Sequence, residues 1–406
     1  MLRAIRNFKS MSSAIETVYL IEASPTLRAA QHKLLCADAP LRETDIGHES
    51  TSKYSNLKII WSEDIRLVPK DVTKTPFIVA HEFFDALPIH IFESVAPPPP
   101  ASSSSTPDPG TVPAADLTNP ASIAAAVAAA QKAPKQQPKT NQWHELLVSP
   151  VPPGSTHASL NTPSSLRAAT PVPDFQLTRS KAPTPHSTYL PHTSARYAAL
   201  LRTPGSVIEI SPESLSYVAD FAQRIGGAPL LASSPQKKAF GSVAEGEEAE
   251  EVERSTKPSP SGAALVLDYG PRDTVPTNSL RGIRKHQPVS PFALPGMVDV
   301  SADVDFTALA HAAIGASPRV EVHGPVEQAA FLEQMGLRER AGVLVRKAKA
   351  GEDGDGFKER VEKAAGRLVD RGPGGMGRLY KALAIVPHDP EKPGRRPVGF
   401  GGDVGV

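Results

Sequence analysis

Short apolar runs that end in acidic residues recur along the sequence. The runs and the carboxylates that follow them are 18–21 with Glu22, 57–61 with Asp64, 77–80 with Glu82 and 264–267 with Asp268. Their length and β-branched content predict buried strands. Ser24 and Pro25 suit the N-cap and first position of a helix over 25–35. Strands that alternate with helices or loops predict an α/β fold with a parallel, doubly wound sheet.

The later pattern predicts an antiparallel arm and further elements. Residues 143–148 are apolar and could pair with residues 89–93. The remaining predictions are a strand at 206–210, a helix at 215–225 that ends at Gly226 and Gly227, a basic loop at 279–286, a strand at 320–324, a helix at 328–335 and a strand at 378–386.

Pro-, Ser- and Ala-rich stretches interrupt this pattern. The 406 residues include 42 Pro, concentrated in the middle of the chain, and such composition cannot bury a core. We expect soft segments at 94–140, at 150–190 with one strand-like piece at 175–178, and at 233–261, and a loose tail after Pro387. Residues 124–130 could form a transient helix, and the acidic run at 245–253 is most simply a solvated loop.

Charge and cysteine content exclude several classes of function. The net charge is +1, which implies no nucleic acid or other polyanion as a partner. Cys36 is the one cysteine, so there is no internal disulfide, and a reducing compartment is expected. No apolar run reaches the roughly 18 residues of a membrane span, so we expect a soluble protein. The twelve histidines show no ligand spacing, and no metal site is expected.

The candidate chemistry concentrates in residues 76–93. The strand there is followed by polar and aromatic side chains: His81, Glu82, Phe83, Phe84 and Asp85. Ligands of open α/β sheets bind beyond the carboxyl ends of strands, where two carboxylates and two aromatic rings would suit a substrate. The same spacing fits a strand followed by a polar turn whose rings only pack. Glu22 likewise is either a ribose-binding acid or a solvated one.

The glycine motif G-x-G-x-x-G occurs once, at Gly372, Gly374 and Gly377. A phosphate-binding loop follows a strand and opens a helix, whereas this motif precedes a predicted strand. We interpret it as a flexible loop. The sequence contains no P-loop and no G-x-S-x-G motif.

Several blocks together resemble the MidA-like family of class I S-adenosylmethionine methyltransferases. They are LIEASPTLRAAQHKLL (20–35), IIWSEDIRLVP (59–69), FIVAHEFFDALPIHIFE (77–93), WHELLV (143–148), ALVLDYG (264–270), SLRGIRKH (279–286), LPGMVDVSADVDF (294–306), HGPVEQAAFLEQMGL (323–337) and MGRLYKALAIV (376–386). The blocks keep the family's order across nearly the whole chain. The resemblance implies a Rossmann-like, mostly parallel sheet with a β-arm, and S-adenosyl-L-methionine as cofactor.

The resemblance also implies a division of the chain. Residues 1–93 and 262–387 would form the two parts of the methyltransferase domain, and 141–232 a β-arm and helical insertion with the soft loop 150–190. Residues 94–140 and 233–261 would be disordered insertions, and 388–406 a flexible tail.

The function that the resemblance implies is arginine N-methylation of a complex I subunit during assembly in the mitochondrial matrix, with a homodimer possible. Glu82, Asp85 and His81 would be catalytic. Glu22, Asp64 and Ala80 would bind the cofactor. Phe83, Phe84, Asp268 and Tyr269 would bind the substrate.

Two departures from the family pattern leave other functions open. His81 stands where the family usually has Asn, and no glycine precedes Gly47, so the family's Gly-rich loop and first strand are missing. Residues 1–13 are basic and acid-free like a transit peptide, but residues 1–8 align best with the helix after that loop. We therefore expect a chain that begins at an internal methionine. A non-catalytic assembly factor and a dinucleotide-dependent oxidoreductase are the alternatives.

Overall fold

The protein is described here by a computed structural model that covers residues 5, 7–54, 56–98, 140–167, 171–228, 257–347, 354–391 and 394–401. Most of the predicted insertions at 94–140 and 233–261, with the Ala-rich and acidic runs inside them, lie outside the described residues, as do residues 1–4 and 402–406. No helix in the described ranges is both long and apolar enough to cross a membrane.

The described elements include both strands and helices. The strands are β1 (Thr17–Ile21), β2 (Arg42–Thr44), β3 (Gly47–Thr51), β4 (Lys58–Ser62), β5 (Phe77–His81), β6 (His90–Val95), β7 (Gln142–Pro150), β8 (Phe175–Arg179), β9 (Val207–Ile210), β10 (Ala263–Tyr269), β11 (Arg281–Arg284), β12 (Gln287–Val289), β13 (Asp299–Ser301), β14 (Val320–Glu327) and β15 (Tyr380–Pro387). The helices are α1 (Lys9–Ala14), α2 (Pro25–Cys36), α3 (Ser164–Arg167), α4 (Pro185–Tyr189), α5 (Ala195–Leu200), α6 (Pro212–Gly226), α7 (Phe306–Ala316), α8 (Gln328–Gln334), α9 (Leu337–Lys347), α10 (Gly354–Leu368) and α11 (Met376–Leu379).

The chain divides into two compact units. Unit 1 comprises Met1–Glu82, Glu213–Asp268 and Phe306–Val406, and unit 2 comprises Phe83–Pro212 and Tyr269–Asp305. Each unit contains its own hydrogen-bonded sheets.

Unit 1 contains two four-stranded sheets, and each includes one parallel pair. In the order β1-β4-β3-β2, β1 is parallel to β4, and in the order β14-β15-β10-β5, β5 is parallel to β10. The predicted α/β class is confirmed. The expected mostly parallel sheet is divided in two, with antiparallel strands in each part. Among the described strands, β1 and β5 are edge strands of their sheets. Hydrophobic periodicity predicts where strands lie but not which strands pair, so the sequence did not indicate this division.

Helix α2 begins at Pro25, as the sequence predicted. The Leu27 backbone N–H donates to the Ser24 hydroxyl at 3.3 Å, and Pro25 takes the first helical position. Its last residue, Cys36, is buried with Ile59 and Trp61. The helix therefore covers one face of the β1/β4 pair, and this burial of apolar surface stabilises it.

Helix α6 is attached to the segment after β4 by a buried arginine. The Arg224 guanidinium pairs with Asp220 and donates to the carbonyl oxygens of Ile65 and Val68, both at 2.8 Å. Lys70 also contacts Asp220, at 2.6 Å. Because the charges are paired and the donors satisfied, the ions are tolerated in the interior of unit 1.

Unit 2 contains the predicted arm. Strands β6 and β7 pair antiparallel, with Phe92 opposite Glu145, in a sheet of order β8-β7-β6-β9. The predicted strand-like piece is β8. The soft loop expected over 150–190 also contains helix α4, which a capping box between Thr184 and Ser187 begins. Local side-chain hydrogen bonds thus stabilise a helix in a stretch whose composition predicted no helix.

The basic loop expected over 279–286 is instead a β-hairpin, which corrects that prediction. Strands β11 and β12 pair with Arg284 opposite Gln287, and only Lys285 and His286 lie between them. Both turn residues have positive φ, 50° and 62°. Two-residue turns with two positive φ values usually carry Asn-Gly or Asp-Gly, so Lys-His gave no sequence signal.

The glycine motif at 372–377 lies before β15, as its context predicted, but part of it is closely packed. A Cβ on Gly377 would overlap the backbone of Val369, and one on Gly375 would overlap that of Asp370. Gly377 is buried within α11. These two glycines permit a close backbone approach, which differs from the open, flexible loop that we expected.

We predict that Gly270→Ala destabilises the protein by about 1–3 kcal/mol, because its Cβ would overlap the Val304 carbonyl oxygen. Gly366→Ala is the matched control. It meets nothing within 4 Å and should stabilise α10 by up to about 1 kcal/mol. Thermal unfolding monitored by circular dichroism measures both, and equal midpoints for the two variants would contradict the tight packing at Gly270.

Candidate functional site

Glu22 lies directly after β1 in unit 1, and its carboxylate is held by two neighbours. Its N–H donates to the Ser62 carbonyl oxygen at 2.9 Å, which continues the pairing with β4. Its carboxylate accepts from the Ser24 N–H at 2.9 Å and from the Gln31 amide at 3.0 Å. Trp61 donates to the other side of the Gln31 amide at 2.9 Å. The carboxylate is therefore oriented at the strand end before any ligand binds.

Gln31 is a residue that the sequence did not indicate as part of the site. It lies nine positions after Glu22, on α2, whose N-terminus is capped by Ser24. A strand, a tight turn and a helix bring the two together. The spacing of a strand–turn–helix unit could have suggested that a polar residue in the second turn of the helix would lie beside the strand end.

Asp64 follows β4, and its carboxylate is already paired. It begins a short 3-10 helix at Ile65–Leu67 by accepting from the Arg66 N–H at 2.8 Å, and it also accepts from the Arg66 Nε at 2.9 Å. The hydrogen bond from Arg66 holds the pKa of Asp64 below its usual value. Asp64 is thus ionised and locally satisfied at the end of the strand beside β1.

Ala80 and His81 end β5, in the other sheet of unit 1, and Glu82 follows directly. Ala80 is buried and pairs with Val266, whereas His81 and Glu82 are exposed. Glu82 has φ +48°, a left-handed conformation that costs a non-glycine residue on the order of 1 kcal/mol or more. Its N–H still donates to the Leu267 carbonyl oxygen at 2.9 Å. Backbone strain of this kind clusters at functional sites.

Tyr380 holds the Glu82 carboxylate, and the sequence did not indicate it. Its hydroxyl donates to Glu82 Oε1 at 2.9 Å across 298 positions of sequence. Tyr380 is the first residue of β15. Glu82 thereby presents an oriented carboxylate to solvent with acceptor capacity remaining on both oxygens.

Asp268 differs from Glu82 in its surroundings. It lies near the end of β10 in unit 1 and is fully buried, with 0% of its surface exposed. The sequence placed it on the substrate side, and the structure places it in the interior of unit 1.

The remaining predicted residues belong to unit 2. Phe83 and Phe84 make an edge-to-face contact with ring centroids 5.3 Å apart. Asp85 is buried, accepts a hydrogen bond from the Tyr269 hydroxyl, and its carbonyl oxygen accepts from the Ala302 N–H at 3.0 Å. Burial and the bond to Asp85 raise the pKa of Tyr269, so the phenol keeps its proton. The structure therefore brings Asp85 and Tyr269 together.

Arg281 extends this pair into a network that the sequence did not predict. Its guanidinium lies 4.3 Å from the Tyr269 ring centroid and donates to Asp303 at 2.7 Å. Ser279 joins Asp303 to Glu209: the Asp303 N–H donates to the Ser279 hydroxyl at 2.8 Å, and that hydroxyl donates to Glu209. The members come from β9, β11 and the loops near them, so no local spacing reveals the network.

Comparison with known proteins identifies the family. A family model described as "Putative S-adenosyl-L-methionine-dependent methyltransferase" matches residues 1–326. The rat protein arginine methyltransferase NDUFAF7, mitochondrial, is 26% identical over 392 residues, which are 95% of this chain and 63% of that protein. The human protein of the same name is 25% identical over 398 residues, 96% of this chain and 64% of that protein. The chain thus spans a little under two thirds of these relatives.

Solved structures support the fold. A COG1565 superfamily member from Burkholderia thailandensis, bound to S-adenosyl-homocysteine, superposes with a TM-score of 0.51 at 17% identity, covering 95% of this chain and 75% of that chain. A second COG1565 structure from the same organism gives a TM-score of 0.50 at 16% identity. The fold and the family predicted from the sequence blocks are confirmed. Since the family model covers residues 1–326 of 406, the chain belongs to this family of S-adenosyl-L-methionine-dependent methyltransferases.

Proposed function

We propose that the protein is a protein arginine N-methyltransferase that uses S-adenosyl-L-methionine and modifies a mitochondrial protein. The observation that carries this proposal is the exposed Glu82 carboxylate, strained at its backbone and oriented by Tyr380. The names of the rat and human relatives, which include arginine methylation and mitochondrial location, support the choice of reaction. We further propose a complex I subunit as the substrate, the matrix as the location and a possible homodimer.

Glu22 fits the ribose end of the cofactor. Each of its carboxylate oxygens accepts one hydrogen bond from the protein, from Ser24 or Gln31. Each oxygen keeps further acceptor capacity, which two adjacent ribose hydroxyls could use. Asp64 and Ala80, at the ends of β4 and β5, would border the adenine side. When bound, the cofactor supplies a methyl group activated on a sulfonium.

Glu82 would pair with the substrate guanidinium. That group is protonated at ordinary pH, and a carboxylate beside it localises its charge and leaves another nitrogen more nucleophilic. In-line attack requires the guanidinium to be held in one orientation, which Tyr380 would provide through Glu82. Methylation replaces one N–H hydrogen, and Glu82 or water would take the released proton.

The other assignments rest on positions within the sequence blocks that resemble the family. His81 is exposed, and its ring could donate a hydrogen bond where relatives usually have Asn. In unit 2, Phe83 and Phe84 would provide flat walls for a guanidinium. Asp85 and Tyr269 already bond to each other, so we assign them to shaping the substrate side. Asp268, fully buried in unit 1, would have a structural role rather than contact the substrate.

We predict that Glu22→Gln weakens binding of S-adenosyl-L-methionine about 10- to 100-fold. The change removes a charged acceptor, worth about 1.5–3 kcal/mol. Calorimetric titration measures the affinity. Glu43→Gln is the matched control, because Glu43 is exposed and lies on β2, at the opposite edge of the sheet from β1.

The same titration separates the enzyme from the alternative of a non-catalytic assembly factor. Binding in the micromolar range supports the enzyme. A folded protein that binds neither S-adenosyl-L-methionine nor S-adenosyl-homocysteine would favour a scaffold that acts through surface contacts.

Glu82→Gln should reduce methyl transfer by at least about 100-fold while leaving cofactor affinity unchanged, because it removes the charge that pairs with the guanidinium. Tyr380→Phe should reduce the rate about 10-fold by releasing the carboxylate. Incorporation of labelled methyl groups into mitochondrial protein, followed by amino-acid analysis for methylarginine, measures both.

Glu43→Gln should keep the full rate in that assay. Undiminished transfer by Glu82→Gln, with methylarginine as the product, would remove Glu82 from the mechanism. A methylated amino acid other than arginine would overturn the substrate assignment and leave the cofactor assignment intact.

A further inference from the structure

Two histidines and one glutamate converge in unit 2, and none of the three is assigned above to catalysis, cofactor or substrate. His90 Nδ1 lies 2.7 Å from Glu145 Oε1, and His186 Nδ1 lies 3.8 Å from the same oxygen. The two imidazole rings have centroids 4.3 Å apart. One ligand atom from each of the three side chains can be chosen so that all lie within 4.8 Å of one another.

Each member of this cluster is positioned by a different element. His90 begins β6, Glu145 lies within β7, and His186 lies in the first turn of α4. The pairing of β6 with β7 places the first two residues on adjacent strands. The capping box that begins α4 then places His186 beside them.

The surroundings of Glu145 resemble those of a metal-binding carboxylate. Its side chain is only 7% exposed, and its second oxygen accepts from the Thr184 hydroxyl at 2.5 Å. A carboxylate ligand that is itself hydrogen-bonded is typical of metal centres.

We infer that His90, Glu145 and His186 form a binding site for a divalent transition-metal ion, with Zn²⁺ as its representative. Ligands about 2.0–2.1 Å from a tetrahedral zinc lie roughly 3.3 Å from each other. The two observed nitrogen-to-oxygen distances, 2.7 and 3.8 Å, lie on either side of that value. Three protein ligands leave a fourth position for water or another ligand.

A hydrogen bond alone does not account for the third residue. The pair His90–Glu145 is a hydrogen bond, but 3.8 Å from His186 to the same oxygen is too long for one. The His186 side chain is 58% exposed, so the cluster is open to solvent. Imidazole nitrogens with one carboxylate select zinc-class ions over magnesium, which prefers oxygen ligands.

The sequence predicted no metal site because the ligands have no local spacing. His90 and Glu145 are 55 positions apart, and His186 follows on a helix that composition did not predict. The inference does not rest on the proposed methyltransferase function, since none of its residues is assigned to cofactor or substrate.

Titration of the whole protein with ZnCl₂ in a calorimeter tests the site. We expect one Zn²⁺ to bind per chain, and His186→Ala and His90→Ala each to weaken that binding by at least about tenfold, the loss that even an outer-shell change brings. His192→Ala is the matched control: it removes an exposed histidine of unit 2 that lies outside the cluster. The His192→Ala variant should bind Zn²⁺ with the same affinity as the unaltered protein. Titration of the unaltered protein with MgCl₂ should give no heat of binding.

The visible absorption of bound Co²⁺ is a second measurement. It would not respond to His186→Ala if His186 had only a structural role. Co²⁺ bound with nitrogen ligands in a tetrahedral site shows visible absorption, which His186→Ala should reduce while circular dichroism stays unchanged. Zinc binding that His186→Ala leaves intact, or no zinc binding by the folded protein, would overturn the inference.

Discussion

The parallel pairing of β5 with β10 is the interaction on which the candidate site depends. The register runs from Phe77 opposite Ala263 to His81 opposite Leu267, and the Glu82 N–H extends it to the Leu267 carbonyl oxygen. This last hydrogen bond holds Glu82 in the left-handed conformation that turns the chain away from the sheet. Pairing along the whole strand offsets the local strain, which is on the order of 1–3 kcal/mol.

The acidic residues at the strand ends of unit 1 fall into two groups with different surroundings. The surroundings determine whether each carboxylate can bind a ligand. Glu22 and Glu82 have neutral partners, an amide and a phenol, which orient a carboxylate without neutralising it. Asp64 is paired with the Arg66 guanidinium, and Asp268 is buried. An oriented and unneutralised carboxylate retains the charge that a ligand hydroxyl or guanidinium needs, so the first two carry the proposed chemistry.

In unit 2, polar contacts and strand pairing stabilise a helix and a hairpin in segments that the sequence predicted to be loops. Pro- and Ser-rich residues around α4 are held by the Thr184–Ser187 capping box, and Thr184 also contacts Glu145. The hairpin of β11 and β12 turns at Lys285 and His286, whose positive φ values are supported by pairing on both sides. Neither feature follows from propensity: the capping box is supported by the contact of Thr184 with Glu145 on β7, and the hairpin by the pairing of β11 with β13.

The sequence by itself determined the strands β1, β4, β5 and β10, the start of α2 at Ser24, the arm of β6 and β7, and the family, because each depends on local periodicity, capping or a contiguous motif. Only the tertiary structure decided the division into two sheets, the partners Gln31 and Tyr380, the burial of Asp268 and the cluster around Glu145. These features join residues that are far apart in sequence. Pairing and packing choose among many possible long-range contacts, and one-dimensional spacing does not distinguish them.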